Sequence, residues 1–161
     1  MRNATPVDYD AVRDVTLRGY LGDGFGDEEY AQALADVEGR ARHAEILVAT
    51  LGENAVVVGA VALALWPSPV AEVGRENEAV FRMLAVAPEA RRQGVGASLV
   101  RECLDRARRA GASALVLSSM PGMTAAHRLY ERLGFQRLPE RDWSPRSGVD
   151  LIVYGWVFSR D

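Results

Sequence analysis

The apolar positions of this chain switch repeatedly between helical and strand periods. They begin at helical spacing, with Val7, Val12, Val15 and Leu17 following Pro6 as a loose stripe that ends near Gly19. The run Gly22-Asp23-Gly24-Phe25-Gly26 cannot be regular structure. Asp27 then caps a second predicted helix, from Glu28 to about Arg42, with acids in its first turn. Next the pattern becomes that of buried strands. Residues 46–51 and 56–66 are rich in Val, Leu and Ala, and Gly52-Glu53-Asn54 joins them as a hairpin turn. Pro67-Ser68-Pro69 ends the second strand, and a third runs over residues 79–86 and stops at Pro88.

Helical spacing then returns. Val95, Leu99, Val100, Cys103, Leu104 and Ala107 make one face; Arg101, Glu102, Asp105, Arg106, Arg108 and Arg109 fill the other. Glu102→Arg106 and Asp105→Arg109 are favourably oriented i,i+4 pairs, and Gly111 is the expected terminator. Residues 114–118 read as a short buried strand, 124–133 as a helix ended by Gly134, and 135–138 and 149–158 as closing antiparallel strands. Strand, helix, strand in the middle makes a right-handed parallel crossover, with hairpins on either side. The predicted class is a mixed α/β sheet, mostly antiparallel, with helices on both faces. Its length suits a single domain over residues 1–161.

Composition narrows the function. Apolar residues are 48% and charged residues 25%, as in a folded globular chain rather than a disordered one. Nineteen basic residues oppose 22 acidic ones, and every basic residue is arginine. A chain without lysine holds no P-loop lysine, no Schiff-base lysine and no lysine general base. The net charge of −3 argues against a general nucleic-acid binder. Cys103 is alone, so no disulfide forms within the chain, and two histidines are too few for most zinc sites. No apolar run has membrane-spanning length and no basic-then-apolar segment opens the chain, so no membrane partner is expected and the cytoplasm is the expected location.

The segment most specific for chemistry follows the third strand: Leu84-Ala85-Val86-Ala87-Pro88-Glu89-Ala90-Arg91-Arg92-Gln93-Gly94-Val95-Gly96. A strand ends, a loop follows and a helix begins near Gly94. The first turn of a helix carries backbone N–H groups without partners at the positive end of its dipole, which suits an anion. Gly94 and Gly96 leave room for a diphosphate, and Arg91 and Arg92 add fixed charge; the alternative is that the two glycines only start a helix close to a sheet. Walker A is excluded by the missing lysine. The dinucleotide fingerprint is excluded because Leu99 stands where its third glycine belongs.

Arg91-x-x-Gly94-x-Gly96 after Leu84-Ala85-Val86 resembles the acetyl-CoA signature of the GNAT acetyltransferases. Ala126-His127-Arg128-Leu129-Tyr130-Glu131-Arg132-Leu133-Gly134-Phe135 resembles the family's later motif, Ala-x-x-Leu-Tyr-x-x-x-Gly-Phe. The resemblance implies acetyl-CoA as cosubstrate with no metal, a splayed parallel strand pair holding the pantetheine, and direct acetyl transfer to an amine in a ternary complex. It places Leu84 and Val86 against pantetheine amides and a main-chain N–H near Leu84 or Ala85 on the thioester carbonyl. The N–H groups of Arg91, Arg92, Gln93, Gly94, Val95 and Gly96 would hold the diphosphate. Tyr130 falls at the acid position; its alternative is a core aromatic beside Leu129 and Leu133.

The chain departs from the pattern twice. Val80 stands where some members carry a glutamate base; Glu78 shares its strand face and is either a base or a solvated strand-end charge. Met123 replaces the motif's asparagine. His127 reads as an exposed helix histidine and Cys103 as a small core residue. Asp23, Asp27, Glu28 and Glu29 form either an acidic rim for a cationic amine or caps and solvated turn. Phe25, Tyr30, Trp66 or Trp143 could wall the acceptor site. The expected acceptor is a small-molecule or peptide amine, the apolar strand 151–158 could pair two copies, and the competing function is a non-catalytic coenzyme A-binding module.

Overall fold

The computed structural model describes residues 1–159; residues 160–161, the end of the expected domain, lie outside the described residues. The elements run β1 (Arg2–Asn3), α1 (Tyr9–Leu21), α2 (Glu28–Ala35), α3 (Val37–Ala41), β2 (Glu45–Leu51), β3 (Val56–Leu65), β4 (Glu78–Val86), α4 (Val95–Arg109), β5 (Ala114–Ser119), α5 (Thr124–Leu133), β6 (Gln136–Arg137), β7 (Trp143–Arg146) and β8 (Val149–Val157). They build an eight-stranded sheet in the order β1-β2-β3-β4-β5-β8-β6, with β7 also pairing β8. Every pairing is antiparallel except β4 with β5.

That parallel pair is joined through α4, whose apolar face of Val95, Leu99, Val100, Cys103, Leu104 and Ala107 is buried. The 3.6-residue period on the chain is therefore the packed face of this helix. Phe81, Leu115, Leu117, Tyr130 and Phe135 belong to the same core, in which the Phe81 and Tyr130 rings meet edge-on at 5.8 Å between centroids. A second cluster joins Val12, Val37, Ile46, Val48, Val80 and Val116.

Four expectations need correction. The helix read as continuous from Glu28 to Arg42 breaks at Asp36, because the Asp36 carboxylate accepts from Gly39 N–H (3.0 Å) and starts α3 afresh. Helix α1 does not stop near Gly19. It runs on to Leu21, and Gly19 is there because a Cβ would meet the Ala85 Cβ at 3.1 Å. The short strand read at 135–138 is only Gln136–Arg137, and β1 and β7 were not legible at all. The strand read at 151–158 is no open edge for a second copy: β5 lies along one side of β8, and β6 and β7 pair its other side between Val149 and Gly155.

Candidate active site

The β4–β5 ladder is short. It pairs Glu78 with Ala114, Ala79 with Leu115 and Val80 with Val116, and there it stops, although β4 continues to Val86 and β5 to Ser119. Beyond Val80 the two strands diverge and leave one edge of β4 without a partner. A bulge against β3 coincides with the opening: Ala60 faces Ala85 while Ala62 faces Arg82, and Met83 takes φ 55°. The extra residue inverts the inward–outward alternation. Below the bulge Phe81 packs in the core with Tyr130; above it Ala85 faces Gly19 of α1, and Val86 turns toward Gly96 of α4.

A cavity of about 730 Å³ fills the opening. Phe81, Arg82, Met83 and Leu84 line it from β4, and Leu117, Ser118 and Ser119 from β5. Tyr130 closes it from α5; Tyr20 and Tyr30 come from α1 and α2, and Trp143 and Leu151 from β7 and β8. A volume of this size with a mainly apolar lining and a few polar groups is typical of a small-molecule site.

At the head of β4 the chain turns into α4. Arg92 (φ 64°) and Gly94 (φ 78°) curl the loop, and Gly94 caps the helix with no side chain supplying an acceptor. Among the described residues, the backbone N–H groups of residues 92–97 have no main-chain acceptor; the first helical bond is Ser98 N–H to Gly94 O at 3.0 Å. These donors converge at the positive end of a fifteen-residue helix. Open space surrounds the position of a Gly94 Cβ, so this glycine serves conformation. A Gly96 Cβ would meet Leu129 at 3.3 Å, so that glycine serves the close approach of α4 to α5. Arg91 is not free beside the turn: it pairs with Asp23 at 2.9 Å and ties the end of α1 to the loop. Arg92 and Gln93 are exposed there, whereas the Val95 side chain enters the core.

Tyr130 is 5% exposed and lines the cavity. Burial, with Tyr154 adding to it, pushes its phenol above the ordinary value near 10, and among the described residues no group hydrogen-bonds its hydroxyl. It is thus both a packed aromatic and a protonated donor at neutral pH. Glu78 does not line the cavity. Arg141 grips both of its carboxylate oxygens, at 2.7 and 2.9 Å, and the Arg75 N–H donates to it at 2.9 Å. Its carboxylate is fixed to the loop before β7 rather than solvated.

The acidic rim is largely spoken for. Asp27 accepts the Tyr30 N–H as cap of α2 (2.9 Å), and Arg146 pairs with both Asp27 and Glu29; Asp23 is held by Arg91. Phe25 packs against the core, and Trp66 is exposed away from the cavity lining. His127 is not an exposed helix residue. It is 9% exposed, its Nε2 lies 3.0 Å from Ser119 Oγ, and its ring stacks toward Tyr154. Burial lowers its pKa, so it sits there neutral. The cause is geometric: three residues before Tyr130, it shares the inward face of α5. Cys103 is buried and its thiol is pushed up to about 12 by desolvation, which leaves it unreactive.

Sequence reasoning missed Arg82, Ser119, Tyr20 and the Met83 bulge. Arg82 had a signal, a charge inside the otherwise apolar Glu78-Ala79-Val80-Phe81-Arg82-Met83-Leu84. Ser119 and the bulge had none, because both depend on which strands meet.

Comparison with known proteins agrees with this geometry. The model of the acetyltransferase (GNAT) family matches residues 10–135. No curated protein matches the chain. Among solved structures, an acetyltransferase of the GNAT family from Staphylococcus aureus superimposes with a TM-score of 0.75 at 13% identity, covering 96% of this chain and 95% of that one. The ribosomal-protein-S18-alanine N-acetyltransferase of Escherichia coli gives 0.70 at 20% identity, covering 99% and 94%. A GNAT family acetyltransferase from Brucella melitensis in complex with acetyl-CoA gives 0.66 at 21% identity, covering 99% and 88%. With its splayed strands, its donor-rich turn and a family match over most of its length, the chain belongs to the GNAT acetyltransferase family.

Proposed function

We propose that this chain transfers the acetyl group of acetyl-CoA to a primary amine by direct attack within a ternary complex. The observation that carries the reading is the junction of two features: the unpaired edge of β4 above Val80, and the free N–H groups of residues 92–97 at its end. The first suits an amide-bearing pantetheine arm, which adds itself to a strand edge. The second suits a diphosphate.

Bound acetyl-CoA supplies the activated thioester. The chain's own groups do the rest. The β4 main chain at Leu84 and Val86 orients the pantetheine, and an N–H at Leu84 or Ala85 faces the carbonyl oxygen as charge develops on it. The amine nitrogen bonds to the carbonyl carbon and the carbon–sulfur bond breaks. Tyr130 donates its proton to the departing sulfur. The ammonium proton leaves through water, because Glu78 is committed to Arg141 and the Val80 side chain has no basic atom to accept it. His127 and Ser119 anchor the β5–α5 loop, where Met123 supplies no polar contact.

Calorimetry with acetyl-CoA tests the reading. Micromolar binding is expected for the native chain. Gly96→Glu should abolish it, since a carboxylate there meets both Leu129 and the diphosphate's charge. Absence of binding by the native chain would overturn the proposal. Binding without turnover on any amine would replace it with a coenzyme A-binding module.

A further inference from the structure

We infer that the acceptor is an amino acid or a close relative, a primary amine carrying its own free carboxylate, with Arg82 as the carboxylate's anchor. The inference rests on the acetyltransferase reading and specifies its second substrate.

Arg82 lies on β4 just below the Met83 bulge and lines the cavity half-buried. Among the described residues it makes no ion pair and donates no hydrogen bond to a carboxylate, although the chain's carboxylates pair widely with other arginines. Its surroundings are not a substitute. The Tyr30 phenol lies beside its guanidinium, and its charge also reaches the buried Tyr20 phenol. Arg40, whose guanidinium donates to the carbonyls of Ala33 (2.7 Å) and Leu34 (3.0 Å), is close enough for Arg82 to lower its pKa, after the larger effect of burial. Two neighbouring cations thus face two phenols; the carboxylate of Asp36 acts on Arg40, and among the described residues none pairs with Arg82.

The carboxylates on the cavity wall do not answer this need. Asp27 and Glu29 are held by Arg146, Asp150 accepts from Ser144 at 2.6 Å, and Glu72 is exposed at the mouth without an ion pair to Arg82. A charge withdrawn from water without a partner is costly, and a guanidinium fork matches a carboxylate in two parallel hydrogen bonds. The missing partner of Arg82 is an acceptor, which is what an anionic ligand brings.

Position relates the two sites. Arg82 and Leu84 flank the Met83 bulge and line the same cavity. A carboxylate held by the Arg82 side chain therefore shares the cavity with an amine reaching the thioester beside Leu84. An α-amino acid satisfies this; a protein N-terminus, whose α-carboxyl is a peptide amide, and a polyamine do not. The aromatic wall of Tyr20, Tyr30 and Trp143 favours an apolar side chain.

The experiment compares phenylalanine with phenylalaninamide, which differ only at the carboxyl group. Each is titrated into coenzyme A-saturated protein and, separately, assayed with acetyl-CoA. The acid should bind and react at least tenfold better than the amide. Arg82→Gln should remove that preference while acetyl-CoA affinity stays within twofold. Equal handling of acid and amide by the native chain, or a preference that survives Arg82→Gln, overturns the assignment. So does acetylation of spermidine or a peptide N-terminus in place of amino acids across a panel of the common twenty; either result leaves the acetyltransferase reading standing. Loss of acetyl-CoA binding by the native chain would remove both.

Discussion

Tyr130 carries two duties that usually compete. Its ring packs against Phe81, Phe135 and Tyr154, and its hydroxyl is left for the cavity. Burial raises its pKa, so the proton stays on the phenol through neutral and mildly alkaline solution, and no alkaline limb below pH 10 arises from it. Tyr130→Phe keeps the ring and removes the donor. Steady-state kinetics should show kcat reduced by about 10²-fold, with acetyl-CoA affinity by calorimetry unchanged within twofold. Unaltered turnover would leave Tyr130 a core aromatic only. Glu78 shows the converse, a residue whose partner decides its role. A carboxylate at 13% exposure gripped by an arginine at 8% is costly to orphan or remove. Glu78→Ala should lower unfolding free energy by about 3 kcal/mol, measured by urea titration, while kcat stays within twofold. A large fall in kcat with stability intact would return it to the chemistry.

At the scale of elements, the site is made by interruptions of regular structure. Strand β4 is paired on both sides only at its start; the bulge at Met83 and the departure of β5 leave main-chain groups available above it. Helix α4 begins without a capping side chain, so its first-turn donors remain unpaired. Gly94 holds the entry at φ 78°, a conformation an L side chain adopts at a cost of about 1 kcal/mol. Gly94→Ala should therefore lower stability by about 1 kcal/mol and weaken acetyl-CoA binding at least tenfold, read by thermal melting and calorimetry. An unchanged affinity would show that the turn's donors are not the diphosphate site.

In the molecule as a whole, segments distant in sequence meet at one opening. Tyr20 and Tyr30 come from the first helices, Arg82 and Leu84 from β4, Tyr130 from α5, and Trp143 and Leu151 from the closing strands. Ion pairs brace its rim across long separations: Arg91 to Asp23, and Arg146 to Asp27 and Glu29. These pairs are exposed, and each contributes little to stability. Their larger effect is on charge. They cancel the acidic rim that the sequence suggests and leave Arg82 as a cation facing the cavity without an ion pair among the described residues.

Local patterns were enough for much of this. The period of α4, its glycine entry, the strand before it and the Leu129-Tyr130…Gly134-Phe135 block each lie within a few residues of one another, and local spacing determines them. They carried the fold class, the order of the main elements and the glycine-containing turn that opens α4. The break at Asp36, the two-residue strands and the burial of His127 escaped, because each is decided by a packing partner elsewhere in the chain. Partner choice was invisible in the same way: a charge on the sequence is a number, and only proximity cancels it. The composition showed arginines and acids in near balance, while the folded chain decided that Glu78 belongs to Arg141 and that Arg82 pairs with no carboxylate among the described residues.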